Sequence, residues 1–243
     1  MTPARASGAH WHAVIDIGSN SVRLVIYDVA GRAMLPHFNE KVMARLGAGL
    51  AVSGHLSPEG VEVALKTLRR YKTILDGLKV TRVRAVATAA VRLAKDGLEF
   101  AARVEQEIGL KVDVIAGEEE ARLSALGVSG GMHEVTGLVG DLGGSSLEFA
   151  RLEDGVVKDG ETLMLGPLSM SLNAQSGNSL QKTVCKALAR SKLLPKHGGR
   201  FYMVGGAWRA LAKLHMNITN YPLRQLNSYR LDEHAILAIV GNG

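Results

Sequence analysis

Residues 14–28 read VIDIGSNSVRLVIYD, and residues 138–152 read LVGDLGGSSLEFARL. Each is an apolar run, a short turn rich in Gly and Ser, and a second apolar run. That is the pattern of two antiparallel strands joined tightly. Asp16, Gly18 and Ser21 of the first stretch recur as Asp141, Gly143 and Ser146 of the second, each 125 residues later. A carboxylate is out of place inside a buried strand, so finding it twice before the same turn points to a chemical role. A period this long is no solenoid repeat. It reads as two related lobes.

The chain around the two stretches supports this. Ser57 followed by Pro58 marks a helix start, a capping side chain with proline at the first helical position. Val61, Leu65, Leu68 and Leu75 then recur at helical spacing up to a stop at Gly77. Val83, Ala85 and Ala87 alternate as a strand. Asp96 and Glu99 have the spacing of a capping box, and Leu98, Ala101, Val104 and Ile108 line one face of the next helix. A short strand at 112–115 leads to a helix from about Glu118. The plan then restarts, with strands at 137–142, 147–152 and 156–165 and a hairpin at Asp154-Gly155. A helix around 179–194 precedes FYMVGGAWRALAKLHM (201–216), a strand, a Gly205-Gly206 turn and a helix. The resulting expectation is a duplicated α/β fold with a flexible lead-in at 1–12. An N-terminal lobe at 13–117 and a C-terminal lobe at 118–243 face each other across a central cleft.

Composition limits the function classes. The chain has 243 residues, 47% of them hydrophobic, enough for a sizeable core. Its single cysteine, Cys185, rules out an internal disulfide and suits a reducing, cytoplasmic setting, and is expected as a helix-packing residue. No apolar run reaches the ~18 residues of a membrane span, and residues 1–12 lack the apolar segment of a secretory signal. A net charge of +6 leans weakly toward anionic partners. The Lys and Arg residues form no stripe interleaved with aromatics, so no specific nucleic-acid binding is expected.

In D-x-G-x-x-S, glycine lets the backbone approach an anion, and the following N–H groups and hydroxyls can converge as a phosphate nest. Two such turns, Gly18–Ser21 (with Ser19 and Asn20) and Gly143–Ser146 (with Gly144 and Ser145), would grip a phosphate chain from both sides. Asp141 and Glu148, seven apart across the second turn, can share a divalent ion, and Mg²⁺ favours carboxylates, water and phosphate oxygens. Thr88 ends a strand, and Arg92 just after it can meet phosphate with its planar fork. Glu118, Glu119 and Glu120 open a helix at the lobe boundary, where acids suit the helix dipole and where one of them can orient a water for attack on phosphorus. Gly205 and Gly206 serve either a close ligand approach or close helix–strand packing.

Together VIDIGSNSVRL, ATAAVR, GEEEAR, GDLGGSSLE and VGGAWRAL closely resemble the exopolyphosphatase / guanosine pentaphosphate phosphatase family. That family belongs to the acetate kinase, sugar kinase, heat-shock chaperone and actin superfamily. The resemblance runs in register from about residue 13 to about 216, and the five motifs in order make it specific. It implies two ribonuclease-H-like, actin-like ATPase lobes, Mg²⁺ dependence, and removal of terminal phosphate from inorganic polyphosphate or from guanosine pentaphosphate (pppGpp). It places the catalytic glutamate at Glu120, the phosphate arginine at Arg92, the metal-side acids at Asp141 and Glu148, and a supporting aspartate at Asp16. Two departures accompany it. Ser145 stands where a third glycine is common, and a positive φ there would cost about 1 kcal/mol or more. The family also continues well beyond residue 243, so a shortened second lobe is expected.

The reading is therefore a Mg²⁺-assisted phosphoanhydride hydrolase, with no membrane partner and with a homodimer kept as an open expectation. Two alternatives share the paired turns: an ATP-dependent phosphotransferase, and a polyphosphate- or nucleotide-binding protein without turnover.

Overall fold

Alternation decides the first strand. In β1 (Trp11–Ile17), Ala13, Ile15 and Ile17 are buried while Val14 and Asp16 are exposed, the period of two that a half-covered strand requires. The structure, a computed structural model, describes residues 10–30, 33–170, 177–194 and 199–240. β2 (Val22–Ala30) and β3 (Ala33–Val42) continue an antiparallel meander from β1. β4 (Arg82–Ala87) and β5 (Val112–Val114) run parallel on the other side, completing the order β3-β2-β1-β4-β5.

Between β3 and β4 lie the short α1 (Leu50–Ser53) and the long α2 (Pro58–Gly77). Ser57 caps α2 by accepting from the Gly60 amide at 3.2 Å, with Pro58 at the first position. Its Leu65, Leu68, Tyr71 and Leu75 pack with Ile15, Leu24 and Ile26 into the first core. The Tyr71 hydroxyl lies 3.2 Å from the carbonyl oxygens of Val22 and Glu40, so the ring is buried without stranding its polar end. Helix α2 runs through Gly77, and Lys79 rather than Gly77 takes the left-handed turn after it (φ 55°).

α3 (Ala89–Leu93) follows β4 directly, and α4 (Gly97–Ile108) closes the lobe. Two sequence expectations are corrected here. Val104 and Ile108 are buried as expected, but Leu98 is exposed and the first half of the buried face is Gly97 and Phe100 in place of Leu98 and Ala101, because α4 packs close to α3 there, with Gly97 against the Val91 backbone. Asp96 does not form a capping box; its carboxylate accepts from the Leu56 amide at 3.0 Å, tying α4 to the loop before α2.

The second half repeats the plan. α5 (Gly117–Gly131) packs Ala121 and Ala125 against Val139, Ala150 and Leu152 of β6 (Gly137–Leu142) and β7 (Leu147–Glu153). Leu138, Leu147 and Phe149 face the other side, against Leu165 and Leu193. Both faces of the sheet are covered at β6, which is why residues 137–140 are buried without alternation. β8 (Val156–Leu163) joins β7 through Asp154 and Gly155, both at positive φ as a two-residue hairpin of this type requires. α6 (Gly177–Leu188), β9 (Phe201–Val204), α7 (Gly206–Ile218) and α8 (Glu233–Val240) complete the described elements. The sheet order is β8-β7-β6-β9, with β9 parallel to β6 as β4 is to β1. Cys185 is exposed on α6 rather than packed. Among the described residues no helix is long and apolar enough to cross a membrane.

Candidate active site

The 125-residue repeat recurs in the strand pairing and in the bond that closes each turn. Asp16 pairs across the strands with Arg23, and Asp141 with Glu148. The Gly18 amide donates to the Ser21 carbonyl at 2.9 Å, and the Gly143 amide to the Ser146 carbonyl at 2.9 Å. Both turns therefore leave their sheets in one conformation, from the ends of β1 and β6.

They meet. A Cβ on Gly144 would stand 3.1 Å from Ser19 Cβ and 3.5 Å from Asn20 Cβ. The first turn is pinned from behind by amides of the β3–α1 loop, Arg45 to the Asn20 carbonyl at 2.9 Å and Gly47 to the Ser19 carbonyl at 2.8 Å. The second is held by the Leu168 amide on the Gly144 carbonyl at 2.8 Å. Gly166 presses so closely on it that an added Cβ would lie 2.3 Å from the Ser145 backbone. Ser145 itself is not at positive φ, so the strain considered for this serine does not arise. Its hydroxyl is buried without a hydrogen-bond partner, and a Cβ on Gly47 would stand 3.2 Å from it.

A cleft of about 440 Å³ opens over the two turns. It gathers Asp16, Gly18, Ser19, Asn20, Ser21, Thr88, Glu120, Asp141, Gly143, Gly144, Ser146, Gly205 and Gly206. Three of the residues singled out in the sequence do not line it. Ser145 sits behind its turn. Arg92, on α3, lies behind Glu120: its Nη1 donates to Glu120 Oε2 at 3.1 Å and to the Ile115 carbonyl at 2.8 Å. Glu148 is buried on the strand beside Asp141; its Oε1 accepts from the Thr162 hydroxyl at 2.9 Å, and Oε2 has no partner.

Gly205 is required by packing. With φ 109°, a Cβ there would lie 2.6 Å from the Leu142 carbonyl oxygen and 3.0 Å from Asp141 Oδ1. Gly206 has open space around it and faces the cleft.

Sequence reading missed three cations. Arg23, Lys41 and Arg209 also line the cleft. Arg23 was legible, since it follows the first turn as Glu148 follows the second. Lys41 arrives only through the β2–β3 register, which pairs it with Arg23. Arg209 comes with the first turn of α7.

Four carboxyls here are pushed above their ordinary range. Glu120 is raised to about 7, by burial first and then by the negative charge of Glu148, partly offset by its hydrogen bond from Arg92. Asp141 and Glu148 are raised chiefly by burial, against the hydrogen bond from Ser124 in one case and those from Ser146 and Thr162 in the other. Asp16 is open to solvent through the cleft, yet the walls of both lobes displace bulk water around it. This burial raises its pKa most, followed by the charge of Asp141, against Arg23 and Lys41. Clustered carboxyls of this kind mark functional sites.

Among the described residues no three His, Cys, Asp or Glu side chains form a ready-made metal cage. Mg²⁺ does not need one: it binds through one or two carboxylates and completes its shell with water and substrate phosphate oxygens. Asp141 on the cleft wall and the unpartnered Glu148 Oε2 beside it fit that demand.

Residues 25–242 match the profile of the Ppx/GppA phosphatase family. The crystal structure of the Aquifex aeolicus member of the Ppx/GppA protein family is 29% identical. The match covers 96% of this chain and 78% of that one, with a TM-score of 0.76. A second structure, of the Aquifex aeolicus PPX-GPPA enzyme, is 31% identical over 87% of this chain and 73% of that one, with a TM-score of 0.71. An exopolyphosphatase from Cytophaga hutchinsonii shares the fold at 23% identity, covering 96% and 79% of the two chains, with a TM-score of 0.84.

Proposed function

The chain belongs to the Ppx/GppA phosphatase family, and from that premise we propose that it hydrolyses phosphoanhydrides, releasing terminal phosphate from inorganic polyphosphate, with pppGpp as a second substrate. The observation that carries this reading is Glu120, a carboxyl with pKa raised to about 7, set on a cleft lined by two turns that are closed by the same hydrogen bond.

The substrate's phosphate chain lies across the turns, its oxygens taken by the cleft-lining polar groups of Ser19, Asn20, Ser21, Gly144 and Ser146. Arg23, Lys41 and Arg209 supply cleft-side positive charge. Arg92 holds Glu120 Oε2, leaving Oε1 to accept a proton from water. The water oxygen attacks the terminal phosphorus in line, the bond to the bridging oxygen breaks, and the shortened chain leaves with that electron pair. The proton passes to Glu120 and then to solvent or product. A base with pKa near 7 is well matched to this task at neutral pH. Mg²⁺ held by Asp141 and Glu148 would neutralise charge on the phosphate oxygens.

Purified protein given Mg²⁺ with polyphosphate, pppGpp or ATP in parallel tests this through released phosphate. Release from polyphosphate above that from ATP is expected. Stoichiometric transfer of the ATP γ-phosphate to an acceptor, with none to water, overturns it.

A further inference from the structure

Thr162 belongs to no motif, yet it touches both halves of the proposed chemistry. It sits on β8 directly across from Glu148 on β7. Its hydroxyl donates to Glu148 Oε1 at 2.9 Å. Its methyl packs on Gly117, the first residue of α5: a Cβ at Gly117 would stand 2.3 Å from Thr162 Cγ2 and 2.7 Å from Thr162 Cβ. Glu120 lies one turn further along that helix, so one side chain bears on the strand that carries Glu148 and on the helix that carries Glu120.

We propose that Thr162 is a positioning residue, whose hydroxyl orients Glu148 so that Oε2 is kept for a divalent cation and whose methyl sets the α5 N-terminus at a fixed distance from it. This rests on the hydrolase reading above. A threonine suits both duties, because its β-branched side chain is stiff at χ1, so fixing the hydroxyl on Glu148 also fixes where the methyl lies. The same logic explains why Gly117 carries no side chain: any Cβ would displace Thr162. Partners that orient a metal-binding carboxylate typically change metal affinity or activity by about 10–100-fold when removed.

The test uses the full chain and the variants Thr162→Val, Thr162→Ser, Gly117→Ala and Glu148→Gln. Two readouts are compared: phosphate release from polyphosphate at varied substrate and Mg²⁺, and the melting-temperature rise on adding Mg²⁺ without substrate. Thr162→Val removes the hydroxyl and keeps the shape. It should lower kcat and raise the half-maximal Mg²⁺ concentration in both readouts by about 10–100-fold, with KM for polyphosphate within about threefold. Thr162→Ser should recover most of this loss. Gly117→Ala leaves every hydrogen-bonding group present, and should shift the Mg²⁺ requirement the same way even where Thr162→Val fails to fold. An unchanged Mg²⁺ response in Thr162→Val, beside a lost response in Glu148→Gln, overturns the positioning role and leaves the hydrolase reading standing. Equal losses in Thr162→Val and Thr162→Ser also overturn it, since the hydroxyl would then not matter. A folded wild-type chain that neither responds to Mg²⁺ nor releases phosphate overturns the hydrolase reading and this inference together.

Discussion

Arg92 Nη1 stands 3.1 Å from Glu120 Oε2 and 2.8 Å from the Ile115 carbonyl oxygen, so one guanidinium ties α3 to the start of α5. Arg92→Lys keeps the charge, but its side chain ends one bond short of Nη1, the single nitrogen that makes both contacts. We expect Arg92→Lys and Arg92→Ala each to lower kcat for phosphate release by roughly 100-fold, the scale of a small misplacement of a catalytic group. Arg92 also holds the Glu120 pKa down, so in Arg92→Ala the acid limb of the kcat–pH profile should move to higher pH.

In the wild-type chain that limb should lie near the Glu120 pKa of about 7. The base works only when deprotonated, so kcat falls as pH drops through this range. Glu120→Gln should lose roughly 10²–10⁴ of kcat and the limb with it. Turnover within severalfold of wild type would remove Glu120 from the role of base.

Stability should run opposite to activity in the absence of Mg²⁺. Glu120 has its pKa raised from 4.5 to about 7 on folding, and Asp16, Asp141 and Glu148 shift in the same direction. The folded state therefore binds more protons than the unfolded state, and this contribution to stability is lost as pH rises from 4.5 toward 7 and beyond. Melting in EDTA should occur at lower temperature at pH 7.5 than at pH 5.5, by a margin that Glu148→Gln reduces and added Mg²⁺ closes. The exposed Glu107 and half-buried Glu119 shift downward through arginine hydrogen bonds, and matter only below their ordinary range.

Three glycines separate packing from access. Gly166→Ala sets a Cβ against the Ser145 backbone, and Gly205→Ala combines a left-handed φ with a clash at the Leu142 carbonyl. Each should cost about 1–3 kcal/mol or more, measured by denaturant midpoint. Gly206→Ala has room and should leave stability unchanged, so any change in KM it brings reports on the cleft itself.

Ser145→Ala removes a buried hydroxyl that has no partner. It should be neutral or stabilising by up to about 1 kcal/mol in the same denaturation assay. A clear loss of stability would mean that the hydroxyl bonds a water or ligand in solution.

Much of this was readable in the chain. Strand alternation in 13–17, the Ser57-Pro58 start of α2 and the Asp154-Gly155 hairpin are local patterns, and local patterns carry their own stereochemistry. The α4 face was misread at Leu98 because its phase is set by contact with α3, which no periodicity within 97–108 contains. Lys41 escaped notice for a similar reason: its place at the cleft depends on a strand register fixed across two chain segments.

The sequence by itself determined the duplication and the two turns, because a repeated Asp-x-Gly-x-x-Ser between apolar runs admits few other conformations. It also brought Asp16, Asp141 and Glu148 to notice as candidate functional acids, and the family resemblance singled out Glu120 from Glu118, Glu119 and Glu120. Tertiary structure alone decided that Arg92 holds Glu120 instead of lining the cleft, that Glu148 is buried with one oxygen free, and that Thr162 and Gly117 bridge strand and helix. Those relations depend on which side chains meet when separate elements pack, and on how little water remains between them. Spacing along the chain records neither.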